Sequence, residues 1–326
     1  MTTIGVLGSG AWGSALAQTA ARGGETVRLV GRDPLVATRV NTRHETPHLP
    51  GIRLEPGVRA DTDLAALAAV DVVLLAVPAQ ATQALMASLA SVLKPGTVVV
   101  SCAKGIDRST GLLVAEVIAD AYLRGPVAVL SGPGFAMEVA AGLPTAVSVA
   151  AEDRVLAEAL ARRLARPGFR PYATGDVTGV QLGGALKNVF AIAAGVVAGR
   201  RLGASAEAAV ITRGFVEMRR LAAAWGAKSE TLMGLSGLGD LVLTCRSVQS
   251  RNFALGVAIG EGQDPARFGK LAEGAFTAGI ALERAVALGI EAPILTAVAD
   301  VVEGRITVDG AVERLLSRPL KREDVI

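Results

Sequence analysis

A glycine-rich hexapeptide near the N-terminus constrains the fold more than any other stretch. Gly8, Gly10 and Gly13 lie in GSGAWG, directly after the apolar run Thr3 to Leu7 and directly before the Ala-rich segment Ala11 to Ala21. A chain that leaves a strand and enters a helix this abruptly needs glycine first for the turn. The second glycine lets backbone approach a pyrophosphate, and the third lets helix and strand pack closely with free helix N–H groups facing the phosphates. A lone GxGxxG says little. Here strand, glycine turn, helix and a second strand at Thr26 to Val30 follow within about 30 residues, which is the context a dinucleotide-binding unit requires.

The same alternation continues to about Ala173. Short apolar runs at Asp71 to Val77, Thr97 to Ser101, Val127 to Leu130 and Ala146 to Ala150 read as strands buried on both faces. Helices are predicted near Ala79 to Val92, Thr110 to Tyr122 and Asp153 to Arg166. Beyond Pro167-Gly168 and Pro171 the pattern turns helical: Val177 to Gly199, Ala206 to Trp225, Asn252 to Glu261, Thr277 to Leu288, Ala297 to Gly304 and Val308 to Leu316, with a loop at Gly234 to Gly239. The expected architecture is α/β. A doubly wound, mostly parallel Rossmann-type sheet occupies residues 1–177, and an all-helical domain occupies residues 178–326.

Composition narrows the class. The 33 basic and 30 acidic residues are dispersed and leave a net charge of only +3, so no nucleic-acid partner is expected. The N-terminus has no basic n-region, and Val177 to Gly199 is interrupted by Gln181, Lys187 and Asn188. The first therefore reads as a strand and the second as a core helix, with no membrane insertion expected. Cys102 and Cys245 sit in apolar runs and read as buried, reduced thiols of a cytoplasmic protein. The two histidines, His44 and His48, fall in a Pro-rich insertion after the second strand, and no zinc-binding spacing occurs, so neither a histidine acid-base nor a metal site is expected.

Two further stretches bear on chemistry. At the end of the second strand, where an NAD-specific protein carries an acidic residue for the ribose 2′-hydroxyl, the chain reads LVGRDP. Gly31 leaves space and Arg32 can face a 2′-phosphate, so NADPH is expected to bind better than NADH, with Asp33 as the competing partner for a 2′-hydroxyl. In VQLGGALKNVFAIAAG, Lys187 is the sole charge between Asp176 and Arg200. Burial in an oily helix favours the neutral amine, the form that accepts a proton. Gly183 and Gly184 share its helical face and suggest a hollow for substrate. Asp240 follows a glycine run, and Ser250, Arg251 and Asn252 open a new helix whose start is expected to grip phosphate. Lys104 in SCAKGI, and Gly132 and Gly134 in SGPGFAMEVA, follow strands at the ligand-binding edge of an open sheet.

Together GSGAWGSALA, SCAKGI, SGPGFAMEVAAGLPTA, GVQLGGALKNVFAIAAG, ITRGFVEM, GLGDLVLTC and QSRN closely resemble bacterial-type NAD(P)-dependent glycerol-3-phosphate dehydrogenases over nearly the whole chain. The resemblance implies reversible hydride transfer between NAD(P)H and dihydroxyacetone phosphate, giving glycerol 3-phosphate for phospholipid synthesis. It makes Lys187 the proton-transfer residue and Lys104 a contact to both substrate and cofactor. It implies substrate contacts at Gly132, Asp240, Ser250, Arg251 and Asn252, and cofactor contacts at Ala11, Trp12, Arg32, Ala136, Arg251, Leu271 and Glu273. A homodimer is a family-based expectation. Ala11 and Gly134 stand where such proteins often carry hydroxyl side chains, so contacts there fall to the backbone, and LAEGAF departs modestly from their usual pattern. Two rivals remain open: a β-hydroxyacid dehydrogenase of related architecture and a non-catalytic dinucleotide sensor.

Overall fold

The computed structural model describes residues 3–269 and 271–319, and the chain divides into two compact units, Met1–Gln181 and Leu182–Ile326. In the first unit, β1 (Ile4–Leu7), β2 (Val27–Val30), β3 (Val58–Asp61), β4 (Val72–Leu75), β5 (Val98–Ser101), β6 (Val127–Ser131), β7 (Thr145–Ala150) and β8 (Phe169–Thr174) form one sheet. Its order is β3-β2-β1-β4-β5-β6-β7-β8. Neighbours run parallel except β6 and β7, which are antiparallel. Helices α1 (Ala11–Ala21), α2 (Pro34–Arg43), α3 (Thr82–Val92), α4 (Val114–Ala121), α5 (Ala136–Ala141) and α6 (Arg154–Leu164) connect the strands.

The strands lack alternation because both faces are covered. Ile4, Val6, Val72, Leu74, Val98 and Val100 pack with α1 on one face, while Leu7, Val73, Leu75 and Val99 pack with Met86, Leu89 and Ile118 on the other. From β1 the chain winds outward to β2 and β3, then returns to β4 on the other side of β1. The β1 end, with its glycine turn, is therefore the topological switch point where open α/β sheets bind ligands.

Three readings need correction. β8 was not expected, since the pattern turns helical past Pro167-Gly168 and Pro171; Pro171 sits in the last strand of the sheet, an edge where proline is tolerated. β3, the opposite edge, has only Val58 fully buried in VRAD, too polar a pattern to announce a strand. The Pro-rich insertion holds α2, started by Pro34 and capped by Asp33, with only Val36 and Val40 buried one turn apart. His44 closes that helix in the left-handed conformation at φ 54°.

Helix α7 (Val177–Gly199) spans the division, and the second unit continues with α8 (Ala204–Ala224), α9 (Ser229–Met233), α10 (Asp240–Thr244), α11 (Arg251–Gly260), α12 (Glu273–Ala287), α13 (Pro293–Val302) and α14 (Val308–Leu316). By length and apolarity α7 is a candidate membrane span, yet 78% of its most apolar window is buried in the protein, so it is a core helix. It meets α11 backbone to backbone. A Cβ on Gly195 would stand 2.2 Å from Phe253 O, and one on Gly256 would stand 2.1 Å from Ile192 O. Gly199 and Gly260 repeat the contact one turn on. These small-residue rows seat the N-terminus of α11 beside the middle of α7.

Candidate functional site

In the first unit the expected cofactor residues gather at the C-terminal ends of β1, β2, β5 and β6. Gly8 has φ +112°, and a Cβ there would stand 2.4 Å from Ala76 O. Gly13 sits against Gly8, whose carbonyl would be 1.8 Å from an added Cβ. Gly10 differs from both: a Cβ on it would meet nothing within 4 Å. It is the N-cap of α1, with no side-chain cap and no acidic residue in the first turn, so no side chain of the cap satisfies the leading N–H groups of α1. Beside them Trp12 Nε1 is buried and has no hydrogen-bond partner among the described residues. An open space at Gly10 beside an uncapped helix start suits a pyrophosphate-bearing dinucleotide.

Past β2, Arg32 is exposed, and Asp33 is spent as the α2 cap, its Oδ1 accepting from Leu35 N at 2.8 Å. Gly31 does not leave the open space expected of it, because Ser9 takes up the place of its Cβ, which would fall 1.9 Å from Ser9 Oγ. Past β5, Lys104 donates from Nζ to Gly132 O at 2.8 Å. Gly132 has φ +149°, and a Cβ there would stand 2.8 Å from Val147 Cα, so this carbonyl orientation demands glycine. A Cβ on Gly134 would lie 3.5 Å from the Trp12 ring, and Ala136 opens α5 just beyond.

In the second unit Lys187 lies mid-helix in α7 with its side chain 7% exposed. It is not alone. Nζ donates to Asp240 Oδ1 at 3.1 Å and to Thr244 Oγ1 at 2.6 Å, and Thr244 Oγ1 lies 3.2 Å from the same carboxylate oxygen. Asp240 and Thr244 are one helical turn apart in α10, which is why both face the amine. A π-helical turn, Leu235–Gly239, delivers them. It docks on α7 at Gly183, where a Cβ would stand 2.6 Å from Ser236 O. The space at Gly183 is therefore filled by backbone, and the substrate hollow expected there is corrected to a docking notch. Thr244 was missed, although its spacing of four from Asp240 was the available signal.

A second network adjoins the first. Asn252 Nδ2 donates to Asn188 Oδ1 at 2.8 Å, and Asn252 Oδ1 accepts from Gly274 N at 2.9 Å. Asn252 thus caps α12, whose own N-cap Ala272 makes no side-chain hydrogen bond, and sets the position of Glu273. Asn188 was also missed, despite standing next to Lys187. Ser250 caps α11 by accepting from Phe253 N at 3.2 Å, and Arg251 is exposed at the first position of that helix. Leu271, 38% exposed, precedes α12. Cys245 abuts the lysine cluster, and burial pushes its thiol up to about 12 against the pull of the Lys187 charge. Burial pushes Cys102 up to about 12 as well, so both stay neutral thiols.

A switch-point glycine turn in one unit and a buried lysine–carboxylate pair in a helical second unit define a class, the nicotinamide-dependent oxidoreductases that act on a CH–OH group. Comparison with known proteins resolves the class. Residues 3–157 match the model of the NAD-dependent glycerol-3-phosphate dehydrogenase N-terminus, and residues 176–313 match that of its C-terminus. A glycerol-3-phosphate dehydrogenase [NAD(P)+] of Bradyrhizobium sp. (strain ORS 278) is 54% identical over 322 residues, covering 99% of this chain and 98% of the relative. One from Rhodopseudomonas palustris (strain TIE-1) is 52% identical, with 99% of each chain covered. The crystal structure of glycerol-3-phosphate dehydrogenase from Coxiella burnetii superposes with a TM-score of 0.92 at 37% identity, covering 97% of this chain and 99% of that one. The chain belongs to the NAD-dependent glycerol-3-phosphate dehydrogenase family.

Proposed function

We propose that this protein interconverts dihydroxyacetone phosphate and glycerol 3-phosphate, with residues 1–177 binding the dinucleotide and residues 178–326 holding the substrate. When bound, the nicotinamide supplies or accepts the hydride exchanged with C2 of the triose phosphate. Lys187 handles the proton: it protonates the C2 oxygen during reduction and takes the hydroxyl proton during oxidation. Asp240 and Thr244 fix where its Nζ points, since they bond it at 3.1 and 2.6 Å. Arg251, with Ser250 and Asn252 at the start of α11, grips the phosphate, and Lys104 places positive charge near the developing alkoxide. Gly132 and Gly134 offer backbone to the substrate. Gly8, Gly10, Ala11, Trp12, Gly13, Ala136, Leu271 and Glu273 complete the cofactor contacts.

The observation that carries this reading is the buried Lys187–Asp240–Thr244 cluster in a chain of this family. Its test is NADPH oxidation driven by dihydroxyacetone phosphate, where Lys187→Ala should lose about a hundredfold to ten-thousandfold in kcat. Wild-type turnover in that variant would remove Lys187 from the reaction.

The reading also favours NADPH over NADH. Asp33 is occupied as a helix cap, which leaves the exposed Arg32 as the group to meet a 2′-phosphate. Arg32→Ala should lower the NADPH to NADH affinity ratio by about tenfold, the size of one lost charge-assisted contact. An unchanged ratio would end the assignment. Assembly as a homodimer belongs to the same proposal, and sedimentation equilibrium checks it.

A further inference from the structure

The loop carrying Lys104 is held by a side chain that the reaction described above does not use. β5 ends at Ser101, and the next residue still pairs with the sheet, Cys102 N donating to Leu75 O at 2.9 Å. The backbone is captured again at Ile106. There Gln80, in the helical turn Ala79–Ala81 ahead of α3, donates from Nε2 to Ile106 O at 2.7 Å and accepts at Oε1 from Arg108 N at 2.9 Å. The two bonds tie both edges of the glutamine amide to alternate residues of the loop, as a neighbouring strand would.

Contacts around this clamp leave the loop little freedom. Gly105 lies so close to the helical turn that a Cβ would stand 2.8 Å from Ala79 Cβ. Beyond it Asp107 Oδ1 accepts from the backbone N and hydroxyl of both Ser109 and Thr110, Ile106 bridges to Leu113, and Ser109 Oγ donates to Gln83 Oε1 of α3 at 3.3 Å, so the far side of the loop is tied to itself and to α3. Between the Cys102 and Ile106 anchors only Ala103, Lys104 and Gly105 remain. The direction of the Lys104 stem is thereby set, and its Nζ reaches Gly132 O.

Gln80 itself is exposed. No core packing calls for it, and ordering a glutamine side chain costs conformational entropy. Both of its bonds act on the loop. We propose that Gln80 is a positioning residue, which keeps the Lys104 ammonium at the Gly132 carbonyl by clamping Ile106 and Arg108. The proposal rests on the substrate role given to Lys104 above. A displacement of about 1 Å at such a group can cost as much as a hundredfold in rate.

The test is a double-mutant cycle on the full-length protein, combining Gln80→Met, which keeps the stem and deletes both bonds, with Lys104→Met. Gln80→Met alone should lower kcat/KM for dihydroxyacetone phosphate by about tenfold or more. Thermal unfolding should stay near wild type, because the residue is exposed. Amide hydrogen exchange in the ligand-free protein should quicken across residues 103–109 and not elsewhere. In the Lys104→Met background the same substitution should change kcat/KM by about twofold or less, since residues acting as one unit are not additive. A full-sized loss in that background overturns the proposal, because Gln80 would then act by another route. An unaltered kcat/KM or unaltered exchange in the single variant overturns it too. Wild-type kcat/KM in Lys104→Met overturns the role of Lys104 itself, and the proposal falls with it, an outcome distinct from the others.

Discussion

The glycine turn of the first unit and the lysine centre of the second are built on opposite principles. At the turn the working parts are missing atoms. Gly8 and Gly13 have no Cβ because backbone occupies that space, and Gly10 has none although nothing occupies it. At the lysine centre the working parts are side chains that satisfy one another out of water, drawn from residues 53 and 57 positions apart. A site made of backbone tolerates little added volume but carries no buried charge. A site made of a buried ion pair tolerates no loss of a partner, since each charge is stable there only through the other.

That contrast can be broken by experiment, and the largest effect should come from the ion pair. Asp240→Ala leaves the Lys187 ammonium buried without its carboxylate and should lower stability by about 3–5 kcal/mol in urea unfolding. A loss under about 1 kcal/mol would mean that water reaches the pair and that the centre resembles a surface bridge.

Next comes pH, where one buried carboxyl in each unit should respond with opposite sign. Glu217 in α8 accepts from Ile294 N and Leu295 N at the start of α13, but burial outweighs these bonds and pushes its carboxyl from 4.5 up to about 7. Its folded state therefore holds the proton more tightly than the unfolded chain does. The stability it contributes, about 3 kcal/mol, is fully present below pH 4.5 and is lost as pH rises through about 7. Asp107 in the first unit goes the other way. Desolvation raises it, yet the bonds from Ser109 and Thr110 prevail and hold its carboxyl below 3.8, so its contribution is present above that value and lost in acid. Glu217→Gln should flatten the decline in unfolding free energy between about pH 4.5 and 7. A slope equal to that of the wild type would assign the decline to another group.

The glycines give the smallest effects on stability and the cleanest separation. Gly13→Ala must displace the Gly8 carbonyl and should cost about 1–3 kcal/mol of stability. Gly10→Ala enters open space and should shift stability by about 0.5 kcal/mol or less, while cofactor affinity, measured by fluorescence titration, falls about tenfold. Equal stability losses in the two variants would show that the opening at Gly10 is not reserved for a ligand.

How much could be read in advance follows the same division. The turn, α1 and the central strands were readable because their residues are contiguous and their periodicity is local. Ala11–Ala21 and Val177–Gly199 have the bounds that the pattern predicts. The edge strands β3 and β8 were not readable, since an edge admits polar residues and even Pro171. α2 escaped notice because only two of its ten residues are buried. Gly183 was seen but misjudged: a glycine beside a lysine signals close approach without saying whether ligand or backbone does the approaching.

Residue order alone settled the class of fold, the phosphate-binding turn and the oddity of a lysine in an apolar helix, because each is written within about 30 residues and obeys strand or helix periodicity. Tertiary structure alone decided that Lys187 has Asp240 and Thr244 as partners, that Asn252 joins Asn188 to the start of α12, and that Gln80 clamps the loop of Lys104. Hydrogen bonds between side chains distant in sequence depend on how helices and loops pack, and packing is a property of the folded chain as a whole.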